Sequence, residues 1–209
     1  MHHTLGIYEI FFIFLITLGP VKIFLPFYQV TEHLSIKDKF KVAIRAEVIS
    51  AIIIILLVIF GIKIVDKWDL SRRAISLTGA IIMFLQGLVL VQANPAKINF
   101  ARMLNITDTS KLTLPQITNF LIAPVIITPA GVTVILAVRS IHLSDLNSTI
   151  ILSLTIAIIV LFFNFIAMIL ASVLGRFIKQ FYLQIIGWIF SICLMILAVQ
   201  IIINEFSRH

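Results

Sequence analysis

Residues 5–30 read LGIYEIFFIFLITLGPVKIFLPFYQV. About 20 mostly apolar residues, rising about 1.5 Å each, cross the hydrocarbon core of a bilayer. This stretch is long enough, and Glu9 and Lys22 are its only charged residues. It also contains Gly19-Pro20 and Pro26. Proline has no backbone N–H and clashes with the preceding turn, so it frees peptide groups of the helix. In lipid those groups must find partners in protein or trapped water. The segment therefore reads as an interrupted transmembrane helix.

Five further stretches have the same character, at 42–64, 74–92, 117–141, 148–174 and 181–206. The composition agrees. Of 209 residues, 61% are hydrophobic and 12% charged, and the mean hydropathy is +1.16. A soluble domain carries about 25% charged residues, and a chain this short cannot hide so much apolar surface within itself. The sequence predicts an all-α integral membrane protein of six transmembrane helices in one domain, 1–209, with the lipid bilayer as its first partner. The N-terminus lacks a basic leader region and a small-residue cleavage pattern, so residues 5–30 are expected to be retained as the first helix.

The net charge of +7 does not indicate nucleic-acid binding here, because the basic residues lie mainly in short loops between apolar spans. Loops 1–2, 3–4 and 5–6 hold Lys37, Lys39, Lys41, Arg45, Lys97, Arg102, Lys111, Arg176 and Lys179. The opposite side holds Lys63, Lys67, Arg72, Arg73, Arg139 and Arg208. Nine against six predicts both termini outside the cytoplasm.

The two halves of the chain resemble each other. Gly79 precedes Gln92 by thirteen residues, and Gly187 precedes Gln200 by thirteen. Phe14-Leu15-Ile16, Pro20-Val21 and Pro26 are echoed by Phe120-Leu121-Ile122, Pro124-Val125 and Pro129. Repeat one is expected over 5–92 and repeat two over 117–206, joined by a cytoplasmic linker at 93–116. Three spans per copy would invert the second copy in the membrane. Inverted repeats place transporter sites near the midplane, on discontinuous helices.

The candidate substrate-binding residues therefore gather at the interruptions of the first and fourth spans: Gly19, Pro20, Lys22, Pro26, Pro124, Thr128, Pro129 and Gly131, with Asn164 from the fifth span. Broken helix ends offer N–H groups to a carboxylate and carbonyls to an ammonium. Lys22 and Glu47 lie inside spans one and two from the same side. They are expected to be within reach of each other, as coupling candidates for a proton or sodium ion. The simpler roles are snorkelling for Lys22 and interhelical glue for Asn164.

No catalytic, metal or cofactor site is expected. All five histidines fall in termini or loops, Cys193 is the lone cysteine, and no nucleotide-binding loop occurs. Thiol-based electron carriage across six helices would need a cysteine in each of spans one and four, and neither has one. The composition leaves a second class open, a non-transporting membrane scaffold. Self-association to a homo-oligomer is left open too.

Several stretches carry a resemblance. These are Gly19-Pro20-Val21-Lys22-Ile23-Phe24-Leu25-Pro26-Phe27, Phe60-Gly61-Ile62 and the run from Leu77 to Gly87. They continue with Ala123-Pro124 to Gly131, and with Ile186-Gly187 through Gln200 to Asn204. Together the chain resembles the MarC family of bacterial inner-membrane proteins, of the LysE-type transporter superfamily. The resemblance implies six spans, an inverted three-plus-three repeat, an outside C-terminus and, for some members, transport of neutral amino acids. The chain departs from the family pattern at the proposed site. It has Gly19 where Asp or Asn is usual, Lys22 where a small residue is common, and Ala130 where Gly-Pro-Gly would end.

Overall fold

The computed structural model describes residues 7–92, 112–140, 146–174 and 180–207. The expected linker 93–116 lies mostly outside them. The described residues are helical almost throughout. The elements are α1 (Ile7–Leu18), α2 (Val21–Thr31), α3 (Ile36–Lys67), α4 (Arg72–Gln92) and α5 (Leu114–Phe120). A wide π-helical turn (Leu121–Ile126) leads to α6 (Pro129–Ser140), followed by α7 (Leu146–Leu174) and α8 (Gln180–Phe206).

Several boundaries have a local chemical cause. The first span stops at Leu18 and restarts at Val21, because Pro20 cannot donate to the preceding turn. The restart begins with a short-range bond, Ile23 N–H to the Pro20 carbonyl at 3.3 Å. Ser35 opens α3: its hydroxyl accepts the Asp38 N–H at 3.2 Å and donates to the Asp38 carboxylate at 2.7 Å. That cap starts α3 at residue 36, six residues before the apolar stretch alone would suggest.

At its other end, Leu70 N–H reaches back to Val65 C=O at 3.0 Å and Asp69 N–H to Asp66 C=O at 3.2 Å. Asp69 adopts the left-handed conformation, with φ 50°. This is a Schellman stop with aspartate in the place glycine usually takes. Ser71 then caps α4 through the Ala74 N–H at 3.1 Å.

In the fourth span, Gln116 Oε1 accepts from both the N–H and the hydroxyl of Thr113, each at 2.9 Å, and so starts α5. The regular helix ends where Ala123 turns extended (φ −135°, ψ 123°) beside Pro124, whose peptide bond is cis. It resumes at Pro129, and the two arms meet at 50°.

Four helices are long and apolar enough to cross a membrane, over Ile10–Thr31, Ile36–Gly61, Ile150–Leu174 and Gly187–Phe206. The bent pair Leu114–Ile126 and Pro129–Val138 makes a fifth if it is one span. The third expected span is the shorter apolar helix Arg73–Val89. The chain is thus an all-helical membrane protein with four or five candidate spans and a shorter apolar helix among the described residues.

Helices of the first half pack on helices of the second: α4 along α8 and α6, α3 along α7 and α6, and α1 with α2 against α6, the π turn and α7. Gly87 lets α4 and α8 approach closely, since a Cβ there would lie 2.5 Å from Met195 Cγ and 3.0 Å from the Ser191 carbonyl. Phe14, Phe27, Ile54, Met83, Leu121, Ile126 and Met168 fill the interior. Ile52, Leu56, Phe60, Leu85, Phe162 and Ile196 point outward, as lipid-facing positions do.

Candidate functional site

The interruptions of the first and fourth spans meet, and Thr128 is where they meet. Its hydroxyl donates to the Thr17 carbonyl at 3.0 Å. It accepts from the Gly131 N–H at 3.0 Å and from Lys22 Nζ at 3.4 Å. One bond donated and two accepted is the full capacity of a hydroxyl. Thr128 is buried, and its bonds with Thr17 and Gly131 are made away from solvent, while the bond from Lys22 is partly buried.

Two of the three bonds follow from the local sequence. In Thr128-Pro129-Ala130-Gly131, Thr128 is the N-cap of α6, Pro129 is the first helical residue and Gly131 supplies the capped N–H. The third bond is tertiary. In an unbroken helix the Thr17 carbonyl would accept from Val21 and the Leu18 carbonyl from Lys22. The break at Gly19-Pro20 frees both. Thr128 takes the first and Asn164 the second, with Asn164 Nδ2 donating to Leu18 C=O at 2.7 Å. Asn164 is fully buried, and its Oδ1 has no hydrogen-bond partner.

Gly131 permits the close approach. A Cβ there would run into the Leu18 side chain and would stand 3.1 Å from Thr128 Oγ1. Gly19 is buried, and a Cβ on it would collide with the Leu15 carbonyl oxygen. Thr133 closes the first turn of α6 by donating to the Ala130 carbonyl at 2.9 Å.

The structure thus brings Gly19, Pro20, Lys22, Thr128, Pro129, Gly131 and Asn164 to one junction. Pro124 stands one turn before it, inside the π turn. Pro26 stands apart: it lies within α2, which continues through it to Thr31 without a second interruption. Glu47 is not joined to Lys22. Both Glu47 carboxylate oxygens are buried without a hydrogen-bond partner, and Lys22 turns to Thr128 instead. The reason is packing, since α2 lies chiefly against α7 and the π turn. The Thr17 and Leu18 carbonyls are not singled out by the sequence, although a break between Leu18 and Val21 leaves the last carbonyls of α1 without intrahelical donors. Nor does the sequence single out Ser50 and Ser153, whose buried hydroxyl oxygens have no partner.

Among the described residues no group of three or more His, Cys, Asp or Glu is placed to hold a metal ion. Cys193 is exposed on α8.

Interrupted helices stitched together by polar side chains in an otherwise apolar bundle define a multi-pass helical membrane protein with a polar junction in its core. The chain belongs to the MarC family: residues 5–208 match the family described as MarC family integral membrane protein. No curated protein and no solved structure matches the chain significantly.

Proposed function

We propose that this protein is a secondary transporter or exporter of a small zwitterion, most simply a neutral amino acid. In this reading two inverted three-helix repeats exchange access around the junction, in a bacterial inner membrane with both termini extracytoplasmic. The supporting observation is the Thr128 hydroxyl, which links the interruption of the first span to that of the fourth. Discontinuous helices in corresponding places of two halves are where such carriers hold their cargo. The packing of each first-half helix against its second-half counterpart suits the same architecture.

The junction offers both kinds of group that a zwitterion needs. Lys22 Nζ has three donors and makes one long bond, to Thr128 at 3.4 Å. A substrate carboxylate would bind there, beside the positive end of α6. Among the described residues Asn164 Oδ1 has no donor, so it remains available to a substrate ammonium. Lys22 is also too costly a residue to keep at such depth without use, at about 2.5–3.5 kcal/mol on insertion scales.

The test is counterflow of labelled neutral amino acids in proteoliposomes. Exchange of at least one of them, abolished by Lys22→Ala, is the expected result. Absence of exchange for every neutral amino acid would overturn the substrate class.

A further inference from the structure

Among the described residues five buried side-chain polar atoms lack a hydrogen-bond partner, and all five are oxygens. They are both carboxylate oxygens of Glu47, the hydroxyls of Ser50 and Ser153, and Asn164 Oδ1. They lie on α3 and α7, two helices that pack along each other. Glu47 and Ser50 lie three residues apart on α3, and residues so spaced share a helix face. That face is the buried one, carrying Ala43, Ala46, Ser50 and Ile54.

Ser153 is fully buried on α7, the helix packed along α3. The two helices run in opposite directions. Gly61, late in α3, lies against Leu136 of α6. Five residues after α6, α7 sets out from that end and carries Phe165 to Phe40 near the start of α3, with ring centroids 5.9 Å apart. From this contact, ten residues along α3 reach Ser50 and twelve back along α7 reach Ser153, about 15 and 18 Å. The two hydroxyls therefore stand at similar depth, with Glu47 one turn below.

We propose that Glu47, Ser50 and Ser153 form a site for one alkali cation of the sodium class, separate from the Thr128 junction. A buried carboxylate with no partner needs a neutralising charge, and among the described residues the elements packed on α3 offer none beside it. α5, the π turn and α7 contain no ionisable residue, and α6 has only Arg139 at its far end. On α3 itself the nearest basic residue of the buried face is Lys39, eight positions earlier, about 12 Å along the axis. Lys22 is engaged at Thr128.

A proton would neutralise the carboxyl by making one of its oxygens a donor, but it would not gather the carboxylate and both hydroxyls about one centre. A hard monovalent ion takes carboxylate and hydroxyl oxygens together. A divalent ion would leave an uncompensated positive charge in the hydrocarbon. The site deepens the transport reading, for which it would hold the coupling ion. Its test is a binding measurement that needs no flux.

Thermal unfolding of the purified full chain in detergent is followed as sodium replaces choline at constant chloride and pH. The midpoint should rise saturably, by roughly 5–10 °C when sodium is about 100 times its dissociation constant. Glu47→Gln should fold and lose the response. Ser153→Ala should keep it, with half-saturation shifted roughly tenfold upward. Equal midpoints in sodium and choline would overturn the site. So would an undiminished sodium response in Glu47→Gln, or a midpoint that follows pH alone. If flux is absent while the sodium response holds, the transport reading fails and the cation site stands.

Discussion

Thr128 donates its hydroxyl hydrogen to the carbonyl of Thr17, 111 positions away in the chain, at 3.0 Å. The bond ties the end of one broken helix to the start of another. Because Thr128 also caps α6 through Gly131, loss of the hydroxyl strands an acceptor and a donor at once. The junction is therefore structural before it is functional, and the two roles separate by mutation.

Thr128→Ala should lower stability by about 1–3 kcal/mol, the range for an unsatisfied buried group together with a lost cap. In thermal unfolding that is a fall of roughly 2–4 °C per kcal/mol. Thr128→Ser keeps the hydroxyl and should recover most of it. An equal fall for both substitutions would mean that the methyl, not the hydrogen-bond hub, holds the helices together.

Lys22 should behave in the opposite way. Its one bond is long, at 3.4 Å, and the span pays for its burial. Lys22→Met keeps the length of the side chain and removes the charge. The expected result is an unchanged or higher unfolding temperature with substrate exchange in proteoliposomes lost. A protein that loses stability with Lys22→Met would assign the lysine to the fold rather than to the substrate.

How far the sequence carried the reader can be judged at the two prolines of the first span. Gly19-Pro20 predicts an interruption and one is present, because the missing N–H of Pro20 acts within one turn. Pro26, grouped with Gly19-Pro20 at the same interruption, lies instead inside α2, which continues through it to Thr31 and packs against α7 and the π turn. Helix placement was legible because hydropathy and caps such as Ser35 and Thr113 are local. The partners of the freed carbonyls were not. Which side chain meets Thr17 and Leu18 depends on how α6 and α7 dock, and Thr128 and Asn164 lie more than 100 residues from them. The expected Lys22–Glu47 contact is absent for the same reason, since the docking of the helices turns Lys22 to Thr128 and leaves Glu47 on a different face.

That difference between the prolines is itself testable. Pro26→Ala should be tolerated, with exchange retained and stability equal or higher, since α2 is already continuous and gains an N–H donor. Gly19→Ala should be damaging, because the added Cβ collides with the Leu15 carbonyl oxygen, which is backbone and cannot swing aside. Measured side by side for expression, unfolding temperature and exchange, the two substitutions should diverge. Similar behaviour would show that the break at residue 19 has no privileged place in the fold.

Gly131 and Leu18 provide the strictest check on the junction, because one contact is predicted and can be relieved from either side. Gly131→Ala drives a methyl into the Leu18 side chain. Overpacking of this kind costs about 1–3 kcal/mol. Leu18→Ala alone removes a buried side chain from the core, with a loss of about 2–5 kcal/mol. Combined, the alanine at 131 occupies room that the shortened residue 18 has vacated. The double variant should then be more stable than the sum of the single losses by about 0.5–3 kcal/mol, the scale of coupling between touching residues. The cycle is measured by unfolding of all four proteins in the same detergent. Strict additivity would place residues 18 and 131 out of contact and remove the close approach on which the meeting of the two broken helices depends.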